Sequence, residues 1–465
     1  MITLSLISGC DTMVIDPVPI IEIHAGYNIQ LTASANGQWD SDNPSVATVS
    51  QTGIVTAVSA GKATISTYSL TGERHIVCYL EVNPRRNILF YIATDDKNSS
   101  IDGDTPLKIQ RIREGWEPDQ GEMYIFTDRR GQGASLLQIK LIDGIYGVDT
   151  LEVFGVQNSA DANVLKGIIN KVVTDYPADR WGMIFFSHAS GWLPEGMLNY
   201  PKSSAVDHSD MEQLSPKKDD ILANPRSLVI DNGGNTKHEM EYYDFAAAIP
   251  EKQFDFIIFE ACLMADVMSM YELRNKTDYV IVSSAEIVAP GFEDTYTVNI
   301  MSLYNTTQSV DKALIEFADT YSTNYNTSFT LSILKMSEMD ALATATKTAL
   351  NGKEISEESV STTEIQSFDR PNFHIKSNPK RSRYFDLGHT IENLVSESEF
   401  KTFNRQLEKT VIWKASTDNF LLYIPGQDGF SITRHSGLTT YIEQAVYPEL
   451  NQVFNESSWH KVILP

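Results

Sequence analysis

Five runs of apolar residues, none with the polar alternation of a half-exposed strand, constrain this chain more than any other feature. Ile88–Ile92, Met123–Phe126, Trp181–Phe186 and Tyr279–Val282 are unbroken, and Phe254–Phe259 carries a single Asp. A strand that is apolar at every position is buried on both faces, which is the situation of a parallel sheet covered by helices. The segments between the runs fit that reading: Asp161–Tyr176 and Glu239–Ala248 have the length and periodicity of crossover helices. An open, mostly parallel α/β sheet flanked by helices is predicted from about residue 85 onward. Residues 19–83 follow another rule. They alternate apolar and polar positions and meet turn signals every ~8–12 residues, the pattern of an antiparallel sandwich. Asn28–Leu31, Val46–Val49, Ile54–Ala57 and Lys62–Ser66 read as strands, with Gly53 and Gly61 at tight turns. Trp39 is expected in the core of that sandwich and Cys78 as a buried apolar filler.

Composition narrows the function. Lys and Arg number 37 against 61 Asp and Glu, a formal charge of −24, so the basic footprint of a nucleic-acid binder is missing. Three cysteines in 465 residues make no disulfide framework. The length exceeds what one hydrophobic core supports, so more than one domain is expected. No run approaches the ~18 apolar residues of a membrane-spanning helix.

In sheets of this kind, chemistry gathers at the carboxyl ends of the strands. The third apolar run ends in Ser187-His188-Ala189-Ser190-Gly191-Trp192 and the fourth in Glu260-Ala261-Cys262-Leu263-Met264. One strand thus delivers an imidazole and another a thiol to the same edge, the pair that nucleophilic catalysis requires. Cys262 also reads as the start of a helix with apolar positions at Leu263, Val267, Met270, Tyr271 and Leu273, whose N-terminus would favour a thiolate. A lone Cys after an apolar strand is otherwise a structural thiol; the placement of both residues at strand ends argues against that. No spacing of His, Cys and Asp points to zinc.

Two resemblances sharpen these readings. Trp39-Asp-Ser-Asp-Asn-Pro-Ser-Val-Ala-Thr-Val, Gly53-Ile-Val-Thr-Ala and Gly61-Lys-Ala-Thr-Ile65 resemble a bacterial Ig-like domain of group 2. Ser187-His188-Ala-Ser-Gly-Trp192 and Phe259-Glu-Ala-Cys262-Leu-Met resemble the two catalytic motifs of the clostripain family of cysteine peptidases. Leu89–Asp96, Tyr176–Trp181, Tyr271–Arg274 and Ser436–Ile442 resemble further family segments. The resemblance implies a caspase-like fold and a His188/Cys262 dyad. It implies an oxyanion site at the N–H groups of Ala189 and Cys262, and Glu260 and Asp294 as substrate-binding residues giving a basic P1 preference. For Glu260 a purely structural role, with the carboxylate bonded to loop amides, stays open. The family has Gly where Ala189 stands, Asp where Glu260 stands and often Glu at the position of Met268. Some relatives bind calcium, though no compact loop motif points to it here, and no cofactor is expected. His208, His238, His389 and His435 are not expected to be catalytic. The polar stretches Pro201–Arg226 and Asn351–Lys380 read as loops, the first a maturation site by the resemblance.

Ile7-Ser8-Gly9-Cys10 resembles a bacterial lipoprotein cleavage site, which implies lipidation of Cys10; a buried N-terminal strand is the alternative. The expected organisation is a signal or tether over 1–18, the Ig-like domain over 19–84, the catalytic domain over 85–350 and a C-terminal part over 351–465. The expected function is that of a secreted or surface-anchored cysteine endopeptidase acting on peptides or proteins, held to the membrane by its lipid. An inactive scaffold whose Ig-like module serves adhesion or ligand binding is the competing reading.

Overall fold

The computed structural model describes residues 18–33, 37–95, 101–117, 120–195, 197, 230–231, 238–324, 328–370, 382–425 and 427–464. Cys10, His208, the Pro201–Arg226 stretch and the end of the Asn351–Lys380 tract lie outside them.

The apolar runs all become strands of one nine-stranded sheet. In chain order its strands are β1 (Arg86–Ala93), β2 (Met123–Arg129), β3 (Gly133–Ile142), β4 (Ile145–Gly155), β5 (Arg180–Phe186), β6 (Phe254–Glu260), β7 (Thr277–Val282), β8 (Thr330–Lys335) and β9 (Val411–Ser416). Their spatial order is β4-β3-β2-β1-β5-β6-β7-β8-β9. The five apolar strands occupy the middle and run parallel. Antiparallel strands extend the sheet on both sides, so the sheet is mixed around a parallel centre.

Strand alternation explains why an unbroken apolar run is needed. Along β1, Ile88, Phe90 and Ile92 join Ile184, Phe256, Ile258 and Ile281 in a core on one face. Leu89, Tyr91 and Ala93 join Met183, Phe185, Ile257 and Phe259 in a core on the other. The first face is covered by α1 (Ile101–Gly115) through Ile101 and Ile112. The second receives α2 (Ala162–Asp175), with its Leu165, Ile168, Ile169 and Val172, and then α3 (Tyr242–Ala248) and α4 (Val267–Leu273). Asp161 caps α2, its carboxylate accepting the Asn163 N–H. Returning to the first face, α5 (Glu293–Asn299) contributes Tyr296, and α6 (Val310–Asn324) contributes Leu314 and Phe317.

The N-terminal strands form a separate sandwich. Ile20–His24, Arg74–Asn83, Gly61–Tyr68 and Gln38–Ser41 make one sheet, and Asn28–Gln30, Ile54–Ala57 and Ala47–Val49 the other. Trp39, Val55, Ile65, Cys78 and Leu80 fill the space between them. Burial pushes the Cys78 thiol up to about 11.

Candidate active site

Because the five central strands run the same way, the loops leaving β5 and β6 emerge side by side. They border a cleft lined by His188, Cys262, Glu260, Asp104, Lys108 and the Ile287–Gly291 loop. His188 and Cys262, placed at strand ends by the sequence, therefore face one cavity. Both are buried, at 3% and 5% exposure.

The loop carrying His188 is held by hydrogen bonds and by a close backbone approach. Ser187 Oγ donates to the Ala93 carbonyl at 2.8 Å, and the Tyr384 hydroxyl donates to the Ser190 carbonyl. At Gly191, whose φ is +56°, a Cβ would lie 2.4 Å from the Leu263 carbonyl oxygen and 2.6 Å from Asp266 Oδ2. Glycine is required there both for its conformation and for contact between the two loops. Ala189 is not among the residues with positive φ, so its side chain costs no backbone strain. Its methyl group is buried in the core.

Cys262 sits in a tight turn. The next residue, Leu263, has φ +60°, a conformation that costs a non-glycine residue of order 1–3 kcal/mol, and its N–H donates to the Ala285 carbonyl at 3.0 Å. That turn corrects one expectation: no helix starts at Cys262. The helix begins at Val267, after Asp266 has capped it by accepting the Ser269 N–H at 2.8 Å, so its dipole does not act at the sulfur. Cys262 Sγ accepts the Ile287 N–H at 3.3 Å. Burial first, and then the nearby Glu286 charge, push its thiol up to about 12. Glu286 is itself clamped by Arg370, whose guanidinium donates to both carboxylate oxygens at 2.7 and 3.2 Å. Among the described residues, no hydrogen-bond acceptor is paired with the N–H of Ala189 or of Cys262.

Glu260 points into the same cleft but is already engaged. Its Oε1 accepts from Lys108 Nζ at 2.7 Å and from the Phe292 N–H at 2.7 Å, and its Oε2 from the Tyr296 hydroxyl at 2.8 Å. Lys108 also donates to the Pro290 carbonyl at 2.9 Å and lies 3.5 Å from Glu293 Oε1. Asp294, the other carboxylate expected to bind substrate, is exposed and does not line the cleft. Helical rotation in the first turn of α5 sends its neighbour Glu293 inward in its place. Sequence reasoning missed Lys108, the Arg370–Glu286 pair and the strained Leu263. The i, i+4 spacing of Asp104 and Lys108 was the one readable signal among them. Of the other histidines, His435 is half-buried near Ser284 and His389 Nδ1 accepts the Gln366 N–H, and neither lines the cleft. Among the described residues, no group of three or more His, Cys, Asp or Glu side chains could hold a metal ion.

The model of the clostripain family matches residues 215–456, more than half of the sequence. The chain belongs to the clostripain family. It is a cysteine endopeptidase by that membership, with a bacterial Ig-like domain of group 2 matched over residues 27–78. The clostripain match contains Cys262 and starts after His188. Among solved structures, the chain is similar to an inactive zymogen C11 protease from Parabacteroides distasonis, at 28% identity and a TM-score of 0.65. That match covers 82% of this chain and 99% of the other. It is similar in fold to a secreted C11 cysteine protease from Bacteroides thetaiotaomicron in complex with an irreversible peptide inhibitor, at 24% identity and a TM-score of 0.64, over 81% and 98% of the two chains. No curated protein matches the sequence.

Proposed function

We propose that this clostripain-family chain hydrolyses peptide bonds with Cys262 as nucleophile and His188 as proton carrier. The observation that carries the reading is the convergence of both side chains on one cleft from adjacent parallel strands. A thiol held near 12 is neutral at rest, so a base must take its proton as sulfur attacks. In this scheme the His188 imidazole accepts that proton while the S–C bond forms, then returns it to the departing amine as the C–N bond breaks. Water next gives a proton to His188 and its oxygen to the acyl carbon, and the released thiolate recovers the proton. The N–H groups of Cys262 and Ala189 are the candidates to receive the oxyanion, because neither has an acceptor among the described residues. The test is hydrolysis of a peptide by the intact chain and its loss on replacing either Cys262 or His188.

The proposal extends to location. One structural relative is a secreted protease, and among the described residues no helix is long and apolar enough to cross a membrane. Ile7-Ser8-Gly9-Cys10 supports attachment through a lipid on Cys10. Cys10→Ser is expected to move the protein from the membrane fraction to the soluble one. Unchanged fractionation contradicts the anchor.

A further inference from the structure

The loop that leaves β7 meets the nucleophile through its backbone: the Ile287 N–H donates to Cys262 Sγ at 3.3 Å. A donor at sulfur favours the thiolate over the thiol, and a backbone N–H keeps such a position only if its neighbours are fixed. Ala285 is tied twice. Its N–H donates to Thr330 Oγ1 at 2.9 Å, and its carbonyl accepts the Leu263 N–H at 3.0 Å. Ala285 and Val288 pack with Phe368, Phe420 and Leu421 from the C-terminal part of the chain. Between them stand two opposite charges that water hardly reaches, Glu286 at 3% exposure and Arg370 at 5%. The Arg370 guanidinium meets both oxygens of Glu286 and is anchored in turn by donating to Gln427 Oε1 at 2.9 Å. For stability alone, apolar residues of similar volume would serve such a loop as well, because burying two charges is costly. What the pair supplies is orientation. A planar fork on a carboxylate admits one geometry, and Glu286 is the residue directly before the N–H at the sulfur. Burial and then Glu286 push the Cys262 thiol up, whereas the Ile287 N–H and Arg370 pull it down.

We infer that Arg370 is a positioning residue for the nucleophile: by clamping Glu286 from the C-terminal part of the chain, it fixes the Ile287 N–H at Cys262 Sγ. The inference rests on the hydrolytic reading above. It gives a role in the reaction to a residue that lies outside both motifs, those around His188 and Cys262.

Steady-state hydrolysis of one peptide tests it on the full chain, with Arg370→Met, Glu286→Ala and the double variant compared with the intact protein. Each single change is expected to lower kcat by about 10- to 100-fold, the effect of a misplaced group beside a reacting atom. KM should stay within about threefold, because both side chains are buried and the loss falls on the chemical step. The double variant should lose no more than the worse single one, since the two groups act as one clamp. It also leaves no lone buried charge, so it keeps the fold where a single change does not. If it alone folds, its kcat is read against the intact chain, and a loss of at least about tenfold is expected. A kcat within about twofold of the intact value in a folded variant overturns the inference. So does a loss seen in KM alone, or a double loss equal to the product of the two single ones. Each of these leaves the hydrolytic reading standing, whereas an intact chain that hydrolyses no peptide overturns both.

Discussion

Replacing Cys262 with Ala is expected to lower kcat/KM for peptide hydrolysis by at least about 10³-fold, because the variant lacks the atom that forms the acyl intermediate. What survives is the contribution of binding and of the oxyanion N–H groups. His188→Ala should cost nearly as much, and the double variant little more than either, since nucleophile and base work as one unit. Folding should hardly change in Cys262→Ala. The side chain is small and, among the described residues, its sulfur has one weak partner, the Ile287 N–H at 3.3 Å, so a loss within about 1 kcal/mol is expected. Kinetics and unfolding measured on the same preparations separate the two effects. A Cys262→Ala chain that keeps a tenth of the intact rate contradicts the assignment.

The second large effect falls on stability. Lys108 and Glu260 are both 1% exposed in their side chains, with 2.7 Å between Nζ and Oε1. Lys108→Met removes the cation and leaves Glu260 and Glu293 buried without a counter-charge. Breaking a buried pair from one side costs about 3–5 kcal/mol, because the remaining charge is neither solvated nor compensated. The double change Lys108→Met with Glu260→Gln removes both charges of the pair and should recover part of that loss, with Glu293 still lacking its cation, so the two changes are expected to be far from additive. Denaturant unfolding followed by a probe in the nine-stranded sheet reads the difference without assuming that the sandwich unfolds with it. A single variant within 1 kcal/mol of the intact chain shows that water reaches the cluster and that the pair does not act as a buried one.

The parts of this fold that the sequence displayed were those with a physical signature inside one segment. β1, β2, β5, β6 and β7 were legible because burial on both faces forbids polar positions. β3 and β4 were not read, although Asp143-Gly144 joins them with positive φ at both residues, a hairpin turn with a recognisable dipeptide. Their mixed exposure lacked the continuous apolar character that marked the others. His188 and Cys262 were legible as strand-end residues, since parallel strands put their carboxyl ends together. The helix start at Cys262 misled because Leu263 and Val267 keep a helical spacing across a turn that Leu263 breaks with its positive φ. Glu260 was visible, but its partner Lys108 lies 152 residues away, and no periodicity reports a contact at that separation. The same holds for Arg370 against Glu286, 84 residues apart.

The account's central claim, that Cys262 is the nucleophile and His188 its base, is tested most directly by a peptide bearing a C-terminal halomethyl ketone. The reagent is mixed with the full chain near neutral pH and the site of attachment is read by mass mapping. The expected result is a single adduct on Cys262, none on Cys78 in the core of the sandwich, and attachment at least about tenfold slower in His188→Ala. In that variant only hydroxide is left to take a proton from a thiol pushed up to about 12, so its rate should climb about tenfold per pH unit through the alkaline range. An adduct on Cys78, no adduct on Cys262, or attachment to Cys262 that proceeds equally fast without His188 would contradict it.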